Sequence, residues 1–204
     1  MTILLLELPV KYLIRSICSA SVLLLAFTAN AAPVELSGVK LEDAVDTQGT
    51  RLQLNGAGIR YKAFFKVYTA GLYLGKKAGT LEEVIAAPGP KRMSITMLRD
   101  IDSAELGKLF TRGVEDNLDR AEFSRIVPSL VRMGEMFASH KKLVAGDSFV
   151  VDWIPGTGTV ITVKGVTQGE AFKEPKFFGA LMSIWLGKSP ADFKLKEALL
   201  GQKS

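Results

Sequence analysis

The chain has 204 residues, of which 48% are hydrophobic and 23% are charged, and its formal net charge is +5. This composition excludes a disordered polymer and a multispan membrane protein, and the length suits one domain. The positive charge is too small and too scattered for the concentrated basic face of a nucleic-acid-binding protein. The single histidine and single cysteine leave too few ligands for a typical metal site. We therefore expect neither a nucleic acid nor a metal as a partner.

The N-terminal residues have the pattern of a secretory signal. Lys11 and Arg15 precede an uncharged, largely apolar run that ends in the small residues Ala29-Asn30-Ala31, a typical signal-peptidase site. The run is shorter than the ~20 apolar residues that a membrane-spanning helix needs. We predict a signal peptide over residues 1–31, a single domain over 32–204, a periplasmic or secreted location, and no stable membrane anchor after cleavage.

Several common chemistries are excluded by single positions. Cys18 lies in the predicted signal, so the mature chain would have no disulfide and no thiolate nucleophile. His140 is followed by two lysines and is expected to be a solvated residue near a helix end rather than a metal ligand or a triad base. A phosphate loop would need glycine where Met182 stands, and a dinucleotide fingerprint would need glycine where Tyr61 stands. We expect no cofactor.

The first part of the mature chain is rich in strand patterns. Residues 59–74 are too long for one ordinary strand, so they form either two strands with a tight connection near 62–65 or one bent strand. The other elements predicted in this part are strands at 39–41, 51–54 and 92–98 and a short helix at 81–87.

Helices and a hairpin follow. Asp102 and Asp119 each precede a helical pattern as N-caps, and Pro128 predicts a kink or break in the second of these helices. Alternation at 148–154 and 159–164 around a Pro-Gly turn predicts a hairpin. Two further helices are predicted, over 175–186 and from an N-cap at Ser189 to about residue 200. This order indicates an α+β fold, an antiparallel sheet with helices on one face.

Arg60 is the residue most open to a functional interpretation. It follows the pair Gly56 and Gly58, which allow the backbone to bend or approach another segment closely. The two-residue period of a strand places Arg60 on the face opposite Ile59 and Tyr61. It is either an edge-strand charge in water or a guanidinium in an apolar cleft, where it would bind a carboxylate or polarised oxygen. Tyr68 is likewise either a sheet aromatic or a second donor to that oxygen.

Four segments together resemble the chalcone isomerase-like superfamily, especially its exported bacterial members, over nearly all of residues 34–201. They are LNGAGIRYKAFFKVYTAGLYL, SAELGKLFTRGVEDNL, GDSFVVDWIPGTGTVITVKG and FFGALMSIWLGKSPADFKLKEALLG. The resemblance implies an open-faced β-sandwich, in which a large antiparallel sheet carries a layer of helices with a ligand cleft between them.

The resemblance also implies roles for individual residues. In the plant enzymes of this family a strand arginine polarises the chalcone carbonyl, and Arg60 matches its position. Tyr68 stands where those enzymes have a threonine that helps to hold an active-site water. Leu106, Gly113 and Ile184 replace a tyrosine, an asparagine and a threonine of the enzymes, which indicates a more apolar pocket and argues against chalcone isomerisation.

Fatty-acid-binding relatives keep an arginine and a tyrosine that hold a carboxylate, and Arg60 with Tyr68 is similar to that pair. Leu106, Phe110, Ile184 and Trp185 either line the pocket that this pair would face or simply pack in the core. The leading hypothesis is therefore a monomeric protein that binds a small, fatty-acid-like apolar ligand through a buried Arg60. The alternatives are an isomerase (intramolecular lyase) that acts on an enone with Arg60 as the electrophilic catalyst, and a structural or partner-binding protein without a ligand.

Overall fold

A computed structural model describes residues 33–202, so the predicted signal peptide and Cys18 lie outside the described residues. The strands are β1 (Val34–Leu36), β2 (Val39–Leu41), β3 (Ala44–Thr47), β4 (Thr50–Lys62), β5 (Phe65–Leu74), β6 (Lys91–Met97), β7 (Ile101–Asp102), β8 (Lys142–Leu143), β9 (Ser148–Ile154), β10 (Gly158–Val163) and β11 (Val166–Thr167). The helices are α1 (Leu81–Ala86), α2 (Ser103–Glu115), α3 (Arg120–Ala138), α4 (Phe177–Leu186) and α5 (Phe193–Leu199). No helix within this range is long and apolar enough to cross a membrane.

Seven strands form one antiparallel sheet in the order β11-β10-β9-β6-β5-β4-β3. Alternate residues of β5, Tyr68, Ala70 and Leu72, join the main hydrophobic core with the apolar faces of α2, α3 and α4. On the other face, Leu41 of the β1–β2 hairpin packs so close to Gly71 that a Cβ there would lie 2.7 Å from Leu41 Cδ2. The predicted α+β class with helices on one face is confirmed.

The long β-rich run is two strands, the first of the two predicted alternatives. β4 and β5 are joined at residues 63–64, and Ala63 adopts a left-handed conformation with φ 53°. The predicted separation of 51–54 from the run is wrong, because β4 is one strand of 13 residues. The glycines at 56 and 58 therefore lie inside a strand, where α5 packs against them.

The helix caps are largely as predicted. Asp102 accepts a hydrogen bond from the Glu105 N–H at 3.0 Å, and Asp119 accepts one from the Glu122 N–H at 2.7 Å. Pro128 does not break α3, which runs unbroken to Ala138. The helix continues because its buried side chains on both sides of the proline remain in the core.

The predicted N-cap of the last helix is wrong. Asp192, not Ser189, begins α5, and its carboxylate accepts hydrogen bonds from the N–H groups of Lys194 and Leu195 at 2.9 and 3.2 Å. Ser189 instead lies in the α4–α5 loop, where its N–H donates to Asn117 Oδ1 at 2.8 Å. This bond ties the loop to the end of α2.

Candidate functional site

A cavity of about 700 Å³ lies between the hairpin end of β4 and β5, α2 and the α4–α5 loop. Both predicted site residues, Arg60 and Tyr68, line it, and so do the predicted wall residues Leu106, Phe110 and Ile184. Trp185 does not line the cavity. It lies behind Tyr68 and donates its indole N–H to the tyrosine hydroxyl.

The sheet register places Arg60 and Tyr68 side by side. They are direct partners on β4 and β5, so their side chains share the face that carries the helices. Arg60 Cζ lies 5.9 Å from the centre of the Tyr68 ring. Gly56 and Gly58 precede Arg60 on the same face and leave room for α5, because a Cβ at Gly58 would lie 2.9 Å from Ala198 Cβ. Arg60 is therefore the first position on this face of β4 past the segment that α5 covers.

Arg60 is half-buried, which corrects the prediction of a buried arginine. Its guanidinium has no hydrogen-bond acceptor and no carboxylate within 4 Å among residues 33–202. A fully desolvated cation without a partner would be very unfavourable, so partial contact with solvent at the cavity fits its unpaired state. The charge is available to a ligand.

Tyr68 is buried, with 5% of its surface exposed. Its hydroxyl accepts the Trp185 Nε1–H hydrogen bond at 2.8 Å, and no described residue accepts the hydroxyl hydrogen. Burial raises the pKa of Tyr68 to about 12, against the opposing effect of the Arg60 charge. At neutral pH the hydroxyl therefore keeps its proton and can donate it to an oxygen in the cavity.

The wall opposite the two donors is apolar and firmly packed. Phe110 makes edge contacts with Phe137, Phe149 and Trp185, with ring centres 5.5 to 5.8 Å apart. A Cβ at Gly113 would lie 3.1 Å from Ile184 Cγ2, so the isoleucine fills the space that a side chain at 113 would need. Leu106, Gly113 and Ile184, which all line the cavity, thus present no polar side chain to it.

Two residues of the cavity rim were missed at the sequence level. Arg99 Cζ lies 4.8 Å from the centre of the Phe65 ring, and both residues line the cavity. Arg99 follows β6 and Phe65 opens β5, so only the fold brings them together. Of the rim carboxylates, Asp100 pairs with Lys142 at 3.0 Å and Asp102 caps α2.

His140, the other residue weighed above as a metal ligand or triad base, contacts an amide side chain. His140 follows the end of α3 and its Nε2 lies 3.1 Å from Gln168 Oε1. Within residues 33–202 there is no group of three side chains arranged to hold a metal ion.

Comparison with known proteins identifies the family. The model of the chalcone isomerase-like family matches residues 33–201. A solved structure of a fatty-acid binding protein from Arabidopsis thaliana has a TM-score of 0.68 and 16% sequence identity, covering 82% of this chain and 95% of that one. At this identity the likeness shows the fold, and no curated protein matches the sequence. The chain belongs to the chalcone isomerase-like family.

Proposed function

We propose that this protein binds a small apolar molecule with a carboxylate or carbonyl head group, such as a fatty acid. The observation that carries the proposal is the pair of adjacent donors, without an acceptor among the described residues, on the wall of a cavity that also presents Leu106, Phe110 and Ile184. The Arg60 guanidinium would bind the head-group oxygens, and the Tyr68 hydroxyl would donate to the same group.

The cavity suits this class of ligand. Its volume of about 700 Å³ lies within the range of roughly 300 to 1,000 Å³ that is usual for small-molecule sites. Leu106, Phe110 and Ile184 would contact the hydrocarbon part of the ligand, whose removal from water favours binding. The similar Arabidopsis structure is that of a fatty-acid binding protein, which supports trying fatty acids first.

Binding is favoured over catalysis by the composition of the wall. An enone isomerase would need groups that stabilise charge in the transition state, and Leu106, Gly113 and Ile184 provide none. Ring closure of hydroxychalcones above the solution rate, lost in Arg60→Ala, would instead establish the isomerase alternative.

We also propose that the protein is exported and that residues 1–31 are removed. The support is the sequence pattern of a charged segment, an apolar run and an Ala-x-Ala site. Cell fractionation and the intact mass of the accumulated protein test this. A cytoplasmic protein that retains residues 1–31 would contradict it.

The binding proposal is tested by calorimetry with oleate, with the matched variants Arg60→Ala and Lys108→Ala. Lys108 is an exposed cation on α2 that does not line the cavity. We expect Arg60→Ala to weaken binding by about tenfold or more and Lys108→Ala to leave it unchanged. Equal affinity in the wild type and Arg60→Ala would contradict the proposed role of the guanidinium.

A further inference from the structure

The end of the β4–β5 hairpin carries an unusual group of exposed aromatic side chains, which we call the hairpin tip (residues 61–66). Phe64 is 81% exposed, Phe65 is 49% exposed and Tyr61 is 40% exposed. The two phenylalanine rings lie against each other, with centres 4.2 Å apart. A projecting apolar patch of this kind marks an interaction surface.

The charged side chains of the hairpin tip itself are basic, and Asp192, whose carboxylate accepts the Tyr61 N–H at 2.9 Å, also caps α5. Lys62 and Lys66 belong to the hairpin tip, and Arg99 lies over the Phe65 ring at 4.8 Å. Residues 59–67 contain no acidic side chain. The carboxylate that follows Arg99, Asp100, is already paired with Lys142. Exposed aromatic rings bordered by lysine and arginine suit the surface of an anionic membrane, where rings enter the head-group layer and cations meet lipid phosphates.

The hairpin tip also forms one side of the mouth of the Arg60 cavity. Three residues of the hairpin tip line the cavity: Lys62, Ala63 and Phe65. Leu109, which is 37% exposed, lines the same cavity from α2. Phe64 does not line the cavity. Phe65, which contacts Phe64, therefore connects the exposed rings to the cavity lining.

We propose that the hairpin tip docks on a lipid bilayer that contains anionic lipids, with Phe64 and Phe65 inserted between head groups and the basic residues against phosphates. Docking in this way places the mouth of the cavity at the membrane surface. A ligand could then pass between bilayer and cavity without crossing bulk water, a consequence that rests on the proposed function above. The docking itself does not depend on any ligand.

The docking is tested by sedimentation of the full-length protein with vesicles, without added ligand. The vesicles contain either phosphatidylcholine alone or phosphatidylcholine mixed with phosphatidylglycerol. Phe64→Ser is compared with Val166→Ser, which removes a side chain that is 63% exposed on β11, at the opposite edge of the sheet from β3. All variants carry the same N-terminal residues, so differences between them report the substituted position.

We expect tighter binding to the anionic vesicles, loss of that preference at high salt, and binding about fivefold or more weaker in Phe64→Ser. Val166→Ser should match the wild type. Equal binding of the wild type and Phe64→Ser, or equal binding to both vesicle types, would overturn the proposal. A vesicle-independent dimer that Phe64→Ser abolishes would also overturn it, because it would assign the hairpin tip to a second copy of the chain.

Oleate affinity in solution separates this result from the proposed function. Because Phe64 lies outside the cavity lining, Phe64→Ser should bind oleate as the wild type does but bind vesicles more weakly. Loss of vesicle binding together with normal oleate binding supports both proposals. Vesicle binding without any oleate binding would leave the docking standing and contradict the ligand site.

Discussion

The Arg60 cavity differs from a second cavity among the described residues in whether its buried and half-buried polar side chains are already engaged. The second, of about 800 Å³, lies among α1, α4, α5 and the start of α3. Its half-buried Asn117 and Lys196 and its buried Ser183 all donate to backbone carbonyls, at 2.6 to 2.9 Å. Its half-buried Glu122 pairs with Lys176. In the Arg60 cavity, by contrast, two donors have no acceptor among the described residues, so the smaller cavity is the better candidate for a ligand with a polar head.

The two cavities share a wall. Ile184 of α4 lines the Arg60 cavity, whereas Ala180 and Ser183 of the same helix line the second. The chain before α5 lines the first cavity, and Lys196 and Leu200 line the second. The close packing of α5 against β4 therefore affects the shape of both cavities.

The largest expected effect comes from adding a side chain at Gly56, between β4 and α5. In Gly56→Ala the new Cβ would lie 2.7 Å from the Leu199 carbonyl oxygen, so α5 must shift. We expect a loss of about 2 to 3 kcal/mol in the free energy of unfolding, measured by chemical denaturation. Gly75→Ala, where nothing lies within 4 Å, is the control. A Gly56→Ala protein with the same free energy of unfolding as the wild type would show that α5 is not held closely against β4.

Removal of the tyrosine hydroxyl should affect binding and stability together. Tyr68→Phe deletes one donor to the ligand and leaves the Trp185 N–H unpaired, so we expect about tenfold weaker oleate binding and a loss of about 1 to 2 kcal/mol in unfolding free energy. The control is Tyr73→Phe, on the opposite face of the sheet. Unchanged oleate affinity in Tyr68→Phe would remove the hydroxyl from the proposed site.

The dependence of stability on alkaline pH tests the raised pKa values of Tyr68 and Tyr73. The pKa of Tyr68 is raised from 10.0 to about 12 by burial, and that of Tyr73 is raised similarly. Between these values the unfolded chain loses the protons that the folded chain keeps, so stability falls as pH rises, by up to about 1.4 kcal/mol per pH unit for each tyrosine. Denaturation at several pH values should show a smaller slope in Tyr68→Phe. The same slope as the wild type would mean that Tyr68 titrates normally.

The smallest effect is expected from partial blocking of each cavity. Leu109 and Ile85 are both partly exposed, at 37% and 47%, and line the first and second cavities respectively. We expect Leu109→Trp to weaken oleate binding by about threefold to fivefold and Ile85→Trp to have no effect. The reverse pattern in a titration would assign the ligand to the second cavity.

Sequence reasoning reached the fold because strand alternation and the caps at Asp102 and Asp119 are local signals. The residues alone leave Tyr68 open as a second donor beside Arg60, but their direct pairing on β4 and β5 depends on the turn at Ala63, which no local pattern fixes. The helix start at Asp192 was missed because Ser189-Pro190 also fits a cap, and only the bond of Ser189 to Asn117 excludes it. The rim contact of Arg99 with Phe65 joins separate strands, which no local pattern reports.

A crystal structure of the protein with bound oleate tests the central claim most directly. We predict the carboxylate within hydrogen-bond distance of the Arg60 guanidinium and the Tyr68 hydroxyl, with the hydrocarbon tail along Leu106, Phe110 and Ile184. Oleate in the second cavity, or a carboxylate held by neither Arg60 nor Tyr68, would contradict the account.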